Sequence, residues 1–310
     1  MSFREGHNFS IDENKNYSEG ENYQHEIKIS EYTPESLAKL WRKTLEKGMH
    51  GICFSMYENN QKPGDIIYGE QVNRRIQILK PYAKWVRSFS CIEGNEHIPR
   101  IAHQNGMKTL VGAWLSNDLE LNEKEIESLI ALAKEGCVDI AAVGNEVMYR
   151  KDLTEDQLID YINRVKEALP DIPVGYVDAY YEFSHRPRIT EICDVILTNC
   201  YPYWEGCPIE YSFHHMQSMF ESAKHAGNGK RVIITETGWP SQGGSLKGAF
   251  ASNENAMKYF IDTQNWSKQN NIEIFDNKKT IFFKHYLILI SLRYILIFTI
   301  IYISINLQIK

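Results

Sequence analysis

Eight short apolar runs, roughly thirty residues apart and separated by amphipathic helical patterns, constrain this 310-residue chain more than any other feature. They are MHGICFSMY near residue 51, WVRSFSC near 87, KTLVGAWL near 110, IAAVGNEV near 142, VGYVDAY near 175, VILTNCYPYW near 197, RVIITETGW near 233 and IEIF near 273. Each is short and mainly apolar, and the run at 233, with three β-branched apolar residues in a row and Gly and Pro after it, shows most clearly the pattern of a buried strand that ends in a loop. The segments between them carry helix punctuation. Thr33 with Pro34 predicts a helix start, Leu37, Leu40, Trp41 and Leu45 form its apolar side, and Gly48 ends it; this helix should cover one end of the fold. Asn122 with Glu125 predicts a capping pair for a helix that Gly136 closes, Thr154 with Gln157 predicts another, and Ser252 precedes the last helical pattern. Eight alternating parallel units predict a (β/α)8 TIM barrel. The rival is an open doubly wound sheet, but no glycine-rich phosphate loop comes after any run.

In a barrel the C-terminal ends of the strands converge on one face. Glu146 ends the fourth run and Glu236 ends the seventh, so both project there although 90 positions separate them. Cleavage of a glycosidic bond needs such a pair, one carboxyl to protonate the leaving oxygen and a second, in retaining enzymes about 5 Å away, to attack the anomeric carbon. The competing reading gives each Glu a buried salt bridge or a helix cap. Neighbouring residues favour the chemistry. Asn145 can donate to a sugar hydroxyl, and Tyr201, Tyr203, Trp204 and Trp239 are rings at strand ends, where stacking on a sugar is expected. Arg87 is a charge inside an apolar run, costly unless paired, and is expected to hold one carboxylate.

Composition narrows the partner. A formal net charge of −6 does not favour nucleic acid, and 12% aromatic residues leave rings for a neutral ligand. The six cysteines show no CxxC pair or metal spacing and are expected to be reduced and mostly buried; a Cys200–Cys207 bridge is compatible only with a compartment outside the cytosol. His214-His215 lacks a third ligand nearby, so no metal is expected, and Glu123, Glu125 and Glu127 read as the solvated side of a helix.

The order of VRSFSC, VGNEV, NCYPYW and ITETGWPS on runs two, four, six and seven resembles glycoside hydrolase family 17, the β-1,3-glucanase family, in its microbial and fungal branch. The resemblance covers roughly residues 49–275. It implies a retaining glycosidase or transglycosylase acting on β-1,3-glucan without a cofactor. By the same resemblance Glu146 is the acid/base and Glu236 the nucleophile, and Tyr57, Arg87, Asn145, Asp178, Tyr201 and Trp239 line the subsite of the reacting sugar, where Tyr203 is also expected.

The chain departs from the family after Phe275. The family continues strand eight with Phe, Asp or Glu and Trp, whereas this chain continues with DNKKTIFFKHYLILISLRYILIFTIIYISINLQIK. An incomplete or altered eighth unit is therefore expected, with exposed edges on strands one and seven, and with it the alternative of a catalytically impaired glucan-binding protein. The resulting division is a disordered polar arm over 1–30, a catalytic barrel over 31–275 and an apolar tail over 276–310. Within the tail, Tyr286–Leu307 is long enough to span a bilayer; sequence outside the true reading frame and a folded replacement for strand eight are the other readings. The N-terminus lacks the apolar core of a secretory signal peptide, which leaves an intracellular protein or a start further upstream. The family is commonly secreted or wall-bound. A monomer is expected.

Overall fold

The computed structural model describes residues 9–10, 26–58 and 60–277. All eight runs form strands: β1 (Met49–Cys53), β2 (Ala83–Ser88), β3 (Lys108–Ala113), β4 (Ile140–Asn145), β5 (Val174–Ala179), β6 (Val195–Asn199), β7 (Arg231–Thr237) and β8 (Ile274–Asn277). They close into one parallel barrel in sequence order, with β8 between β7 and β1. Inward-facing side chains from β1, β3, β4, β5, β6, β7 and β8, among them Leu110, Ile140, Val177, Leu197, Ile233 and Phe275, fill its interior. Gly51 of β1 lies opposite Phe275, and a Cβ there would come within 2.5 Å of that ring, so only glycine lets the plug seat.

The strand of the eighth unit is thus present, which corrects the expectation of exposed edges on strands one and seven, while the remainder of that unit lies outside the described residues. Both neighbouring edges pair with it: Gly51, Ile52 and Cys53 of β1 face Phe275, Asp276 and Asn277, and β7 faces Ile274 and Asp276. Asp276 and Asn277 therefore belong to the barrel and not to the tail. The tail beyond residue 277, including the apolar stretch 286–307, lies outside the described residues. Among the described residues no helix is long and apolar enough to cross a membrane.

The ring of helices is set by the same punctuation. Helix α1 (Pro34–Glu46) starts with a capping box between Thr33 and Ser36, and instead of covering an end of the barrel it packs against the last helix, as Trp41 on Phe260 shows with ring centroids 5.7 Å apart. Leu37, Trp41 and Leu45 share one core cluster with Ile52 of β1, with Val72, Ile76 and Leu79 of α2 (Gly69–Leu79), and with Met257, Phe260 and Ile261 of that last helix. The N-terminal helix thus fills the place in the ring between the last helix and α2. After α3 (His97–Gln104), α4 (Leu119–Lys134) begins one turn earlier than expected, capped by Asp118, which accepts from Leu121 N at 3.1 Å. This shift puts Asn122 and Glu125 on the inner side. Asn122 clamps Ser116 through both its amide atoms, and Glu125, 2% exposed, accepts from the Ser90 hydroxyl and from Cys91 N. Burial raises the Glu125 carboxyl to about 7, against the lowering effect of the Ser90 hydroxyl. Glu123 and Glu127 remain toward solvent.

Helices α5 (Val147–Arg150), α6 (Glu155–Ala168), α7 (Glu182–His185), α8 (Pro187–Ile192), α9 (Ile209–Ala226) and α10 (Asn253–Asn270) complete the ring, and the expected Thr154–Gln157 capping box and Ser252 cap are in place. Of the arm expected over 1–30, residues 9–10 and 26–30 are described, and Ile27 N donates to Asp262 of α10 at 3.0 Å while Lys258 bridges Glu26 and Asp262. All six cysteines are free, five of them buried, and Cys200 and Cys207 are not bridged.

Asp276 makes a pH-dependent prediction. It is 5% exposed, and burial alone raises its carboxyl to about 7. A folded-state value above the unfolded one means that the neutral form supports the fold: this support is complete below about pH 4 and is lost as pH rises through about 7. Asp276→Asn should leave stability nearly unchanged at pH 4 and raise it at pH 8, by at most about 4 kcal/mol. Urea melts at both pH values check this; a gain that is flat or shrinks with pH would contradict it.

Candidate active site

The fourth and seventh strands deliver their carboxylates in different ways. At the end of β4 the chain turns sharply: Gly144 has φ 86° and Glu146 φ 52°, and a Cβ on Gly144 would come within 2.8 Å of Val147 Cγ2. The turn is pinned by Glu146 N, which donates to Val177 O at 2.8 Å, and it sends Val147 into the outer core while Glu146 stays partly exposed. A non-glycine residue in the left-handed region at a strand exit stores strain where a side chain must be aimed. Glu236 lies within β7, opposite Asn199 of β6, and is 7% exposed.

A buried network joins the two. Arg87, 1% exposed, donates from Nη1 to Glu236 Oε1 at 2.7 Å and from Nη2 to Asn145 Oδ1 at 2.6 Å, with Phe89 under its guanidinium at 4.2 Å. Burial is the largest single influence and works against that cation, but the Glu236 charge, the Cys53 thiol and the hydrogen bonds to both together hold Arg87 above its ordinary pKa. Asn199 Nδ2 donates to Glu146 Oε1 at 3.0 Å and to Glu236 Oε1 at 3.3 Å, so those oxygens are at most 6.3 Å apart. The amide is oriented by Thr235, whose hydroxyl donates to Asn199 Oδ1 at 2.9 Å. The other oxygen of Glu236 accepts from the Tyr201 hydroxyl at 2.8 Å. Burial and then the Glu236 charge push the Tyr201 phenol well above its ordinary pKa, so it stays a donor.

Of the residues expected at the site, Glu146, Glu236, Asn145, Arg87 and Tyr201 converge in this network, and four others stand elsewhere. Asp178 is fully buried and is not hydrogen-bonded into this network. Its carboxylate accepts from the Tyr176 hydroxyl, from Ala179 N at 2.7 Å and from Tyr149 N at 3.4 Å, while Tyr176 in turn accepts from Met148 N, so it braces the short helix after Glu146. Burial raises the Asp178 carboxyl to about 7, the Tyr176 hydroxyl lowers it and the Glu146 charge raises it further.

Tyr203 and Trp239 are 4% and 3% exposed, stacked edge to face at 5.2 Å, and hence not open platforms. Their polar tips are taken by loop backbone, Tyr203 by Gly244 O and Trp239 by Phe250 O. Tyr57 is half-buried against the α2 side, where its carbonyl accepts from Arg75 at 2.9 Å and its phenol lies with Asn95. The rings that keep accessible surface at strand exits include Trp204 and Trp114, the latter beneath Arg150 at 4.6 Å.

Asn199 and Asn277 were not anticipated. Asn199 could have been found from its place directly before the CYPYW aromatic run, whereas Asn277 sits in the stretch assigned to the tail. Among the described residues no group of His, Cys, Asp and Glu is arranged to hold a metal ion, and His215 is paired with Glu205 at 2.8 Å.

Known proteins share this arrangement of strands. The model of the BtgE/BtgC glycoside hydrolase domain matches residues 51–284. The structure of a glycoside hydrolase family 17 β-1,3-glucanosyltransferase from Rhizomucor miehei superposes with a TM-score of 0.67 at 31% identity, covering 74% of this chain and 86% of that one. An active-site mutant of the Rhizomucor enzyme, in complex with laminaritriose, gives the same TM-score at 30% identity, covering 75% and 87%. A glucan 1,3-β-glucosidase of Saccharomyces cerevisiae is 27% identical over 208 residues, which are 60% of this chain and 66% of the yeast protein. The chain thus spans just under two thirds of that relative, and it spans 22% of a probable glucan endo-1,3-β-glucosidase of Aspergillus fumigatus. With a domain match running from β1 past β8, and a solved family member aligned over most of its own length, this chain belongs to glycoside hydrolase family 17.

Proposed function

We propose that this protein is a retaining glycosidase acting on β-1,3-glucan, with Glu236 as nucleophile and Glu146 as acid/base. The observation that carries the proposal is the amide of Asn199, which touches both carboxylates and limits the gap between two of their oxygens to 6.3 Å. Inverting enzymes need roughly 6.5–9.5 Å to admit a water between the carboxyl groups, whereas a covalent route needs about 5–5.5 Å. The environments differ in the required sense. Both oxygens of Glu236 are held in place by hydrogen bonds from Arg87, Tyr201 and Asn199, as suits a nucleophile. Glu146 is more open, on a braced turn, where it can reach a leaving oxygen and later an incoming hydroxyl.

In the first step Glu236 forms a bond to the anomeric carbon as the glycosidic bond breaks and the Glu146 proton passes to the leaving oxygen. In the second, Glu146 removes a proton from the acceptor, whose oxygen displaces Glu236. Water as acceptor gives hydrolysis, and a sugar hydroxyl gives transfer. The glucosidase relatives favour the first outcome and the Rhizomucor glucanosyltransferase the second. The alternative of an impaired binding protein rests on the departure from the family pattern after Phe275; the pairing of β8 with both of its neighbours supports the enzyme reading over it.

A 2-fluoro-glucosyl donor with a good leaving group should label Glu236, located by peptide mass spectrometry, and laminarin oligosaccharides should yield shorter products, longer ones or both. Labelling at another residue, or intact oligosaccharides after prolonged incubation, would remove the proposal.

A further inference from the structure

Strand eight brings to the site a polar side chain beyond the carboxylate pair and its strand-two, four and six partners. Phe275 points into the barrel, so Asn277, two positions on along the same strand, also faces the axis, next to Cys53 of β1 in register. Its Nδ2 donates to the Tyr201 hydroxyl oxygen and reaches Glu236 Oε2 at 3.3 Å. Tyr201 donates to that same oxygen at 2.8 Å. Side chains from the loop after β6 and from β8 therefore grip one oxygen of Glu236, while Arg87 and Asn199 hold the other. The two N–H groups of an amide suit this place. One orients the phenol so that its only O–H must point to the carboxylate, and the other donates to the carboxylate itself without adding charge.

We infer that Asn277 is a positioning residue for Glu236, acting directly and through Tyr201 to fix one carboxylate oxygen while the other engages the anomeric carbon. The inference rests on the glycosidase reading given above. It makes the strand-eight exit part of the reaction, although the sequence there departs from the family pattern.

Two variants separate this role from simple space filling. Asn277→Asp has nearly the same shape but presents a charge of the same sign as Glu236 and no donors; Asn277→Ala removes the donors and leaves a gap. If Asn277 positions the nucleophile, kcat on laminarin oligosaccharides should fall about 10-fold in the Ala variant and about 100-fold in the Asp variant, with KM within about two-fold. A purely structural role predicts the reverse order, with Asp the milder change. Thermal melting runs alongside. Because Asn277 sits at a partly exposed strand end, both variants should fold, and a kcat loss in Asn277→Ala accompanied by a fall of more than about 10 °C in Tm would count against positioning.

A β-gluco-configured epoxide that opens on the nucleophile gives a second readout that needs no polysaccharide. Its labelling rate at Glu236 should decrease in the order wild type, Ala variant, Asp variant. That order without laminarin turnover supports the inference and sinks the glucan reading. Turnover and labelling that are equal in all three proteins sink the inference and leave the glucan reading standing. No labelling and no turnover in the wild type overturns both.

Discussion

Glu236→Ala should lower kcat/KM on laminarin oligosaccharides by on the order of 10⁴-fold or more, because no other group lies where the covalent bond must form. Loss alone would not identify a nucleophile, so the stereochemistry of rescue matters. Added azide should occupy the space left by the carboxylate and displace an activated leaving group from the α face, giving α-glucosyl azide. In Glu146→Ala the first step still proceeds with a leaving group that needs no proton, and azide then displaces Glu236 from the β face. Product NMR distinguishes the anomers. The same anomer from both variants, or full activity in Glu236→Ala, would refute the assignment of roles.

The second large effect concerns Arg87. Its guanidinium is buried at 1% exposure and pairs with Glu236 and Asn145 at once. Arg87→Met keeps much of the volume and leaves Glu236 a charge without its cation. Breaking a buried pair from one side costs about 3–5 kcal/mol, so Tm should fall by roughly 10 °C, and activity should drop with it because both residues lose their orientation. Adding Glu236→Gln to Arg87→Met should recover more than half of the lost stability and none of the activity, since the stranded charge is then gone. Single and double variants melting within about 2 °C of the wild type would show that the pair contributes little.

Arg87 also shows how far the sequence could be read. A cation within an apolar strand pattern has to find a buried anion, and the barrel topology left the strand-end glutamates as candidates. Eight short runs in a regular rhythm were enough for the closed sheet, and Glu146 and Glu236 at the exits of the fourth and seventh runs were enough for a shared face. The helix caps at Thr33, Thr154 and Ser252 were legible for the same reason: each depends only on side chains within one turn.

The misreadings have a common cause. Asn122 and Glu125 have the spacing of a cap, but Asp118 starts the helix one turn sooner and leaves them to clamp Ser116 and the Ser90–Cys91 backbone. Tyr203 and Trp239 stand at strand ends as sugar-stacking rings would, yet Gly244 and Phe250 take up their polar tips and turn the rings inward. Asp178 has the strand-end position of a subsite residue, but its oxygens are committed to Tyr176 and to backbone N–H groups around the Glu146 turn. Asn277 lay at the start of a stretch whose composition pointed away from an enzyme.

By itself the sequence determined the number and order of the strands, the two carboxylates that meet and the need for a buried cation beside them, because periodicity and charge burial are properties of local segments. Only the tertiary structure decided which rings face the cleft, that α1 fills the gap in the helical ring, and that strand eight supplies an amide to Glu236. Those outcomes depend on contacts between residues distant in the chain, where a few ångströms of loop placement decide whether a polar tip meets a backbone carbonyl, a carboxylate or open solvent.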